Sequence, residues 1–408
     1  MIWVGIGVVW AHFCRHQAIG LVLGEKTQNA GRRRRARRGV SRLRACVMLA
    51  GFEQPVFEPS NAHRGDSAMT TPPTKGAPLR RREFLQATTA VAAAGAATGR
   101  AAPAMAQAGK IVAEEHWAKK GAVDLYIYRK RMLGDGRNDA KPVLFLVHGS
   151  TFSCRGSYDL QVPDRSNYSM MDYFAERGFD VWSMDHEGYG YSSHTSSHAG
   201  IMVGVEDLKA AMPVVEKITG RGSVLLHGQS SGAIRAGAFA MLEPQRVERL
   251  VLDAFTYTGE NAPEIERRRK VADQYRANPR RPITLASIQR IFDRDKPGTS
   301  EPEVPKALAE FELKFGNEVP SGTYLDMAVN LPMVDPSKVS CPVCLLRAEH
   351  DGNASEEELL RFYAVLPNKD KQFVMLAGIV HSGGLGINRH RLWHAVHAFL
   401  TYPPIREA

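Results

Sequence analysis

Residues 228–232 read Gly-Gln-Ser-Ser-Gly, between an apolar run, Ser223-Val-Leu-Leu, and a small-residue helical run that begins at Ala233. A serine hydroxyl is a poor nucleophile until a base takes its proton, so a serine aimed for chemistry needs a histidine, and the histidine needs orienting. Glycines two residues before and two after a serine let the backbone turn sharply from strand to helix and hold the hydroxyl out at the strand end. Only Ser230 has a glycine at both of those positions. Ser231 then becomes the first helical residue, offering its backbone N–H to a developing oxyanion. His227, beside them, reads as a packing residue, because a base so close along the strand points away from the turn.

The base is expected at His381, in the glycine-flanked loop "LAGIVHSGGLG" that follows the last apolar run. Of the other histidines, His390, His394 and His397 fall on a helical pattern and read as helix-surface or core residues. Two carboxylates end apolar strands. Asp351 closes "CLLRAEHD" and leads through a polar loop into a helix, which favours it as the orienting acid; Asp253, in "LVLDAF", is the alternative, with a capping or hinge role as its other reading. Glu349 is a third, weaker candidate. A second oxyanion donor should be the backbone N–H of Ser150 or Thr151, after "FLVHG", and losing one such donor costs about 3 kcal/mol of transition-state stabilisation. No metal or dinucleotide motif is present, so no cofactor is expected.

These residues need rigid strand ends to hold them. From residue 110 onward, apolar runs alternate with helical patterns. Two early segments, 110–117 and 122–132, alternate apolar and polar residues like an antiparallel edge hairpin. Near-continuous apolar runs follow at 142–149, 179–185, 223–229, 247–255, 341–351 and 371–378. Strands apolar on both faces imply a parallel sheet covered by helices, and helices are expected near 168–177, 201–219, 231–243, 355–366 and 388–401. The rhythm breaks at about 256–338, which is charged, punctuated by proline and helical in period, without a strong strand. It is too long for an ordinary connection and reads as an inserted helical subdomain. Its basic clusters, Arg267-Arg-Arg-Lys270 and Arg280-Arg281, read first as a solvated helix face and second as an attractor of a carboxylate-bearing substrate.

The formal charge of +10 is unevenly placed. Residues 1–108 hold 16 of the 53 Lys and Arg and 5 of the 43 Asp and Glu, leaving 37 against 38 in the remaining 300 residues. A nucleic-acid partner is therefore not expected of the body of the chain. The basic leader contains Arg80-Arg-Arg-Glu-Phe-Leu-Gln86, an apolar stretch Ala87–Ala97 too short and alanine-rich to span a bilayer stably, and small-residue cleavage sites near Ala106 or Ala108. It resembles a twin-arginine export signal, matched at Arg81, Arg82, Phe84 and Leu85, with the Tat export machinery as the implied partner and a periplasmic or secreted product. Met69 opens a leader of ordinary length, so translation is expected to start at or near it, with residues 1–68 a non-native or disordered extension; if the long form is made and masks the signal, the protein stays cytoplasmic. Of the five cysteines, Cys14 and Cys46 fall in the leader. Cys154, Cys341 and Cys344 remain, too few for a disulfide framework, and "CPVC" in an apolar run reads as buried strand cysteines.

Five landmarks in order, "HGST" after a strand, "DHEGYGYS" (Asp185 to Ser192), "GQSSG", "EHDG" and "VH", make residues 110–401 resemble the α/β-hydrolase superfamily. The resemblance implies an α/β fold: a mostly parallel eight-stranded sheet with helices on both faces and a helical cap inserted after strand 6, within a domain at 109–408. Haloalkane dehalogenases and epoxide hydrolases of that superfamily use aspartate where this chain has Ser230. The resemblance therefore implies acyl transfer to water from a small-molecule ester, by a carboxylesterase with Ser230, His381 and Asp351 as its triad. Amidase, lactonase, C–C bond hydrolase or aminopeptidase chemistry on the same residues is the alternative, and a non-catalytic binding protein on the same fold is the third reading.

Overall fold

The structure is a computed structural model that describes residues 109–134 and 141–405. The leader readings, including Met69, the Arg81-Arg82 motif, the cleavage sites at Ala106 and Ala108, and Cys14 and Cys46, lie outside the described residues.

Ten strands occur among the described residues: β1 Lys110–Lys120, β2 Val123–Leu133, β3 Val143–Val147, β4 Asp180–Met184, β5 Val224–Gln229, β6 Val247–Asp253, β7 Arg280–Pro282, β8 Glu318–Pro320, β9 Val343–His350 and β10 Lys371–Val380. Eight of them form one sheet in the order β1-β2-β4-β3-β5-β6-β9-β10. β2 pairs antiparallel with both β1 and β4, and every other pairing is parallel. The chain is thus an α/β-hydrolase fold with a mostly parallel sheet. An ion pair of Arg129 with Asp180 (Nε to Oδ1 2.8 Å, Nη2 to Oδ2 2.6 Å) ties β2 to β4 where the antiparallel edge meets the parallel body.

The two-sided apolar strands explain the layers. In β3, Val143, Phe145 and Val147 enter one core while Leu144 and Leu146 enter the other, and β9 divides Val343 and Leu345 from Cys344 and Leu346 in the same way. Successive strand residues face opposite sides of a sheet, so each face needs its own cover. Helices Ile201–Thr219, Ser231–Leu242 and Glu356–Val365 close one face through Val205, Leu208, Phe239, Leu359 and Phe362. Helices Met170–Ala175 and Arg389–Leu400 close the other through Phe174, Trp393, Val396 and Phe399. Local signals set the helix ends. Ser169 and Ser355 cap their helices by accepting the N–H of Asp172 and Glu358, and Gly220 ends Ile201–Thr219 in the left-handed conformation (φ 72°).

Residues 256–338 hold helices Pro263–Arg269, Ala272–Ala277, Leu285–Asp293, Glu303–Glu312 and Gly322–Val329. They also hold a hairpin, β7 with β8, that the sequence does not announce. Its strands are three residues each, lie 35 residues apart and contain proline, so neither carries a readable period. Cys341 and Cys344 are buried free thiols, and burial pushes both up to about 12. No helix of the described residues is long and apolar enough to cross a membrane.

Candidate active site

Ser230 sits between the end of β5 and helix Ser231–Leu242, at φ 58° and ψ −125°. A non-glycine residue there stores strain of about 1–3 kcal/mol that the surroundings must hold in place. They do so by close packing. A Cβ on Gly228 would lie 2.4 Å from the carbonyl oxygen of Gly232, and one on Gly232 would lie 2.2 Å from that of Val147, so the turn admits no side chain at either position. The Ser230 N–H donates to the carbonyl of Asp253 at 2.9 Å, and the Ser230 carbonyl accepts from Ala233 at 2.9 Å.

His381 is the first residue after β10, and Asp351 the first after β9. Its Nε2 is 2.9 Å from Ser230 Oγ, and its Nδ1 is 2.9 and 3.0 Å from the two carboxylate oxygens of Asp351. All three side chains are buried. Burial by itself pushes the Asp351 carboxyl up, but the charge of His381 and hydrogen bonds from His381 and the Asn353 N–H (2.8 Å) outweigh it and hold the group below its ordinary value. An acid that stays ionised beside Nδ1 fixes the tautomer that leaves Nε2 facing the hydroxyl.

Asp253 stands elsewhere. Its Oδ2 lies 3.7 Å from His227 Nε2, beyond hydrogen-bond reach, and no bond from its carboxylate to His381 exists among the described residues. Glu349 turns outward and accepts the Gly378 N–H at 2.7 Å. His227 packs edge-on against Tyr158, 5.9 Å between ring centres. His390 and His397 lie on helix Arg389–Leu400, His390 edge-on to Trp393 and His397 tilted against Phe174 and edge-on to Phe179.

The loop 149–151 passes close to the turn, since a Cβ on Gly149 would lie 3.1 Å from that of Ser230. Ser150 Oγ is 2.8 Å from Ser231 Oγ and 2.6 Å from Thr323 Oγ1, which locks the loop to the start of the helix and to helix Gly322–Val329. Thr151 is held at φ 87°, rare for a β-branched residue. Ser231 opens its helix, so its N–H is among the donors a helix leaves unpaired. Ser150, Thr151, Ser230 and His381 line one pocket, together with Phe152, Gln229 and Ser382.

The same pocket is lined by Arg268, Ile291, Arg294 and Tyr324, all from residues 256–338. The basic cluster Arg267–Lys270 is not the wholly solvated helix face that its composition suggests. Arg267 and Lys270 are exposed, but Arg268 is only 2% exposed. The helix Pro263–Arg269 puts Arg268 on the same face as Ile265, three residues before it, and that face is turned inward. Desolvation pushes the Tyr324 phenol up, but the guanidinium groups of Arg281, Arg268 and Arg294, with the Thr151 hydroxyl, reverse this and bring it down to about 6.

Asn353, not singled out by its type or position in the sequence, is fully buried in the same network. Its Nδ2 lies 3.1 Å from His381 Nε2 and its Oδ1 accepts from Arg294 Nη2 at 3.2 Å. A buried amide behind a strand-end aspartate is a signal only once the fold has placed the loop. Among the described residues no cluster of His, Cys, Asp and Glu is arranged to hold a metal ion.

The family model described as serine aminopeptidase, S33, matches residues 139–383. No curated protein matches the chain significantly in sequence. Among solved structures it is similar to a malate-bound thermophilic esterase from Thermogutta terrifontis, at 20% identity and a TM-score of 0.52, over 70% of this chain and 98% of that one. It is also similar to an epoxide hydrolase from Vigna radiata, at 16% identity and a TM-score of 0.53, over 71% and 98%. A third likeness is to E-2-(acetamidomethylene)succinate hydrolase, at 17% identity and a TM-score of 0.52, over 71% and 99%. At these identities the likeness is one of fold.

Proposed function

This chain belongs to the serine aminopeptidase S33 family of α/β-hydrolases, and from that premise we propose that it cleaves a carboxylic ester of a small molecule through an acyl-enzyme on Ser230. Ser230 Oγ attacks the ester carbonyl while His381 Nε2 takes its proton, and Asp351 stabilises the imidazolium that results. The tetrahedral oxyanion is held by the backbone N–H of Ser231 and by that of Ser150 or Thr151. His381 then hands its proton to the leaving alcohol. A water molecule, activated by the same histidine, attacks the acyl carbonyl and frees the acid and the serine.

The observation that carries this reading is the unbroken chain of contacts from Asp351 through His381 to Ser230, each near 2.9 Å. An aminopeptidase must also hold a substrate ammonium, for which a carboxylate is the natural partner. None of the residues lining the pocket at Ser230 is acidic, and two are arginines, which supports an ester over an N-terminal peptide. A panel of p-nitrophenyl esters and matching p-nitroanilides on the purified chain tests the choice, with Ser230→Ala as control. Turnover of esters only is expected; faster release from an aminoacyl anilide would move the assignment to peptidase chemistry.

We further propose that residues 69–108 export the enzyme through the twin-arginine route, which puts its substrate in the periplasm or outside the cell. The Arg81-Arg82 pair followed by Phe84 and Leu85 supports this. N-terminal sequencing of the native protein should begin near Gln107 or Gly109. A peptide starting at Met1 would contradict it.

A further inference from the structure

We propose that Arg268, supported by Arg281, forms an anion subsite beside Ser230, so that the ester cleaved there carries a free carboxylate. The inference rests on the ester-hydrolase reading for its chemistry, but its evidence is separate.

A buried cation is costly unless something pairs it. Arg268 lines the pocket of Ser230 and His381 and is 2% exposed, yet no carboxylate among the described residues lies within ion-pair distance of it. Its Nη1 reaches the thioether of Met327 at 3.3 Å, and its Nε has no hydrogen-bond partner among the described residues. The acids nearest it in sequence are taken: Glu266 by Arg269, and Glu264 by Arg267 and Arg294.

Arg281 adds a second cation with no carboxylate in ion-pair distance among the described residues. Its guanidinium carbon lies 4.0 Å from the centre of the Tyr324 ring, and that of Arg268 lies 4.2 Å from the same ring. Arg281 Nη2 donates to Thr151 Oγ1 at 2.6 Å, and its buried Nε is unpartnered among the described residues. The third arginine is different: Arg294 is paired with Glu264 at 3.3 Å and Asp295 at 3.4 Å. Arg268 and Arg281 together therefore leave two positive charges beside the pocket. The Tyr324 phenol between them, brought down to about 6 by Arg281, Arg268, Arg294 and the Thr151 hydroxyl, offsets one of the two charges when it ionises and leaves the other for a ligand. A guanidinium is a planar fork matched to a carboxylate, and neither the pocket wall nor the loop 149–151 supplies one. The complement has to arrive on the substrate.

Two measurements separate this proposal from the ester-hydrolase reading. The first compares kcat/KM for the mono-p-nitrophenyl ester of adipic acid with that for p-nitrophenyl hexanoate, which match in length and differ by one carboxylate. A charge-assisted contact predicts a preference of about 10–100-fold for the acidic ester. Arg268→Gln should bring the ratio close to one, mainly through KM, and Arg268→Lys should recover part of it. Arg281→Gln, at a half-buried position, should lower the same ratio and serves if Arg268→Gln does not fold. The second measures binding of adipate, and of inorganic phosphate, to Ser230→Ala by calorimetry, which needs no turnover. Adipate should bind, phosphate more weakly, and Arg268→Gln in that background should abolish adipate binding. Equal kcat/KM for the two esters with no adipate binding would overturn the subsite and leave the ester reading intact. Adipate binding that depends on Arg268, with neither ester cleaved, would do the reverse. An Arg268→Gln variant that slows both esters equally, with the ratio kept, would make Arg268 a packing residue, and phosphate binding as tight as adipate would overturn the carboxylate assignment.

Discussion

His381 and Asp351 are joined at 2.9 and 3.0 Å, whereas His227 and Asp253, as deeply buried, stand 3.7 Å apart. Both pairs lie toward the carboxyl ends of the parallel strands, near Ser230. The difference is in the backbone. His227 is inside β5, so its ring projects from the face of the sheet on the side of Leu225, toward Tyr158, and cannot turn to the strand end. His381 has left β10, and Asp351 has left β9, so both loops are free to bring their side chains over the strand ends. The proposed triad has its serine on a strained turn and its partners on loops, and residue type alone does not distinguish the two pairs.

Mutating one pair against the other tests how complete this division is. Ser230→Ala should lower kcat on an ester by about 10⁵-fold or more, and His381→Ala by a similar amount, because residues acting as a unit are not additive. Asp351→Asn should cost about 10³–10⁴-fold by presenting the wrong tautomer, while Asp253→Asn should stay within about tenfold of the parent enzyme. If the two asparagine variants lose activity equally, the division between the pairs fails. Burst and steady-state kinetics on one activated ester give all four values.

The same contrast has a stability side. The Asp351 carboxyl is held below its ordinary value by His381 and the Asn353 N–H, so the unfolded chain binds its proton more readily than the folded one. Its contribution to stability is therefore complete above about pH 4 and is lost as pH falls through its lower folded value. Melting curves of the parent and Asp351→Asn should lie furthest apart at neutral pH and draw together below pH 4. A gap that widens in acid would contradict the sign of this linkage. The smallest effect is expected at Ser231, whose side chain contacts Ser150 Oγ while its proposed role belongs to the backbone. Ser231→Ala should change kcat by less than about tenfold, the loss of one neutral hydrogen bond at most.

The sheet and the sharp turn at Ser230 were legible because their signals are local. Strands buried on both faces write continuous apolar runs, and the two glycines around Ser230 are demanded by carbonyl oxygens 2.2–2.4 Å from where a Cβ would stand. The choice between Asp351 and Asp253 was only partly legible, because it depends on which loop reaches His381. The pocket wall was the least legible. Arg268 lies in a run of four basic residues that looks solvated, and only its spacing of three from the buried Ile265 marks it as inward-facing. Arg281 and Tyr324 meet because β7 pairs with β8 just ahead of helix Gly322–Val329, a pairing too short to leave a pattern.

The central claim is that Ser230 is the nucleophile, and covalent labelling tests it most directly. The folded protein should take up one equivalent of a fluorophosphonate, peptide mapping should place the adduct on Ser230, and Ser230→Ala should take up none. An adduct on another residue, or no adduct on folded protein that is intact by its melting curve, would contradict the account.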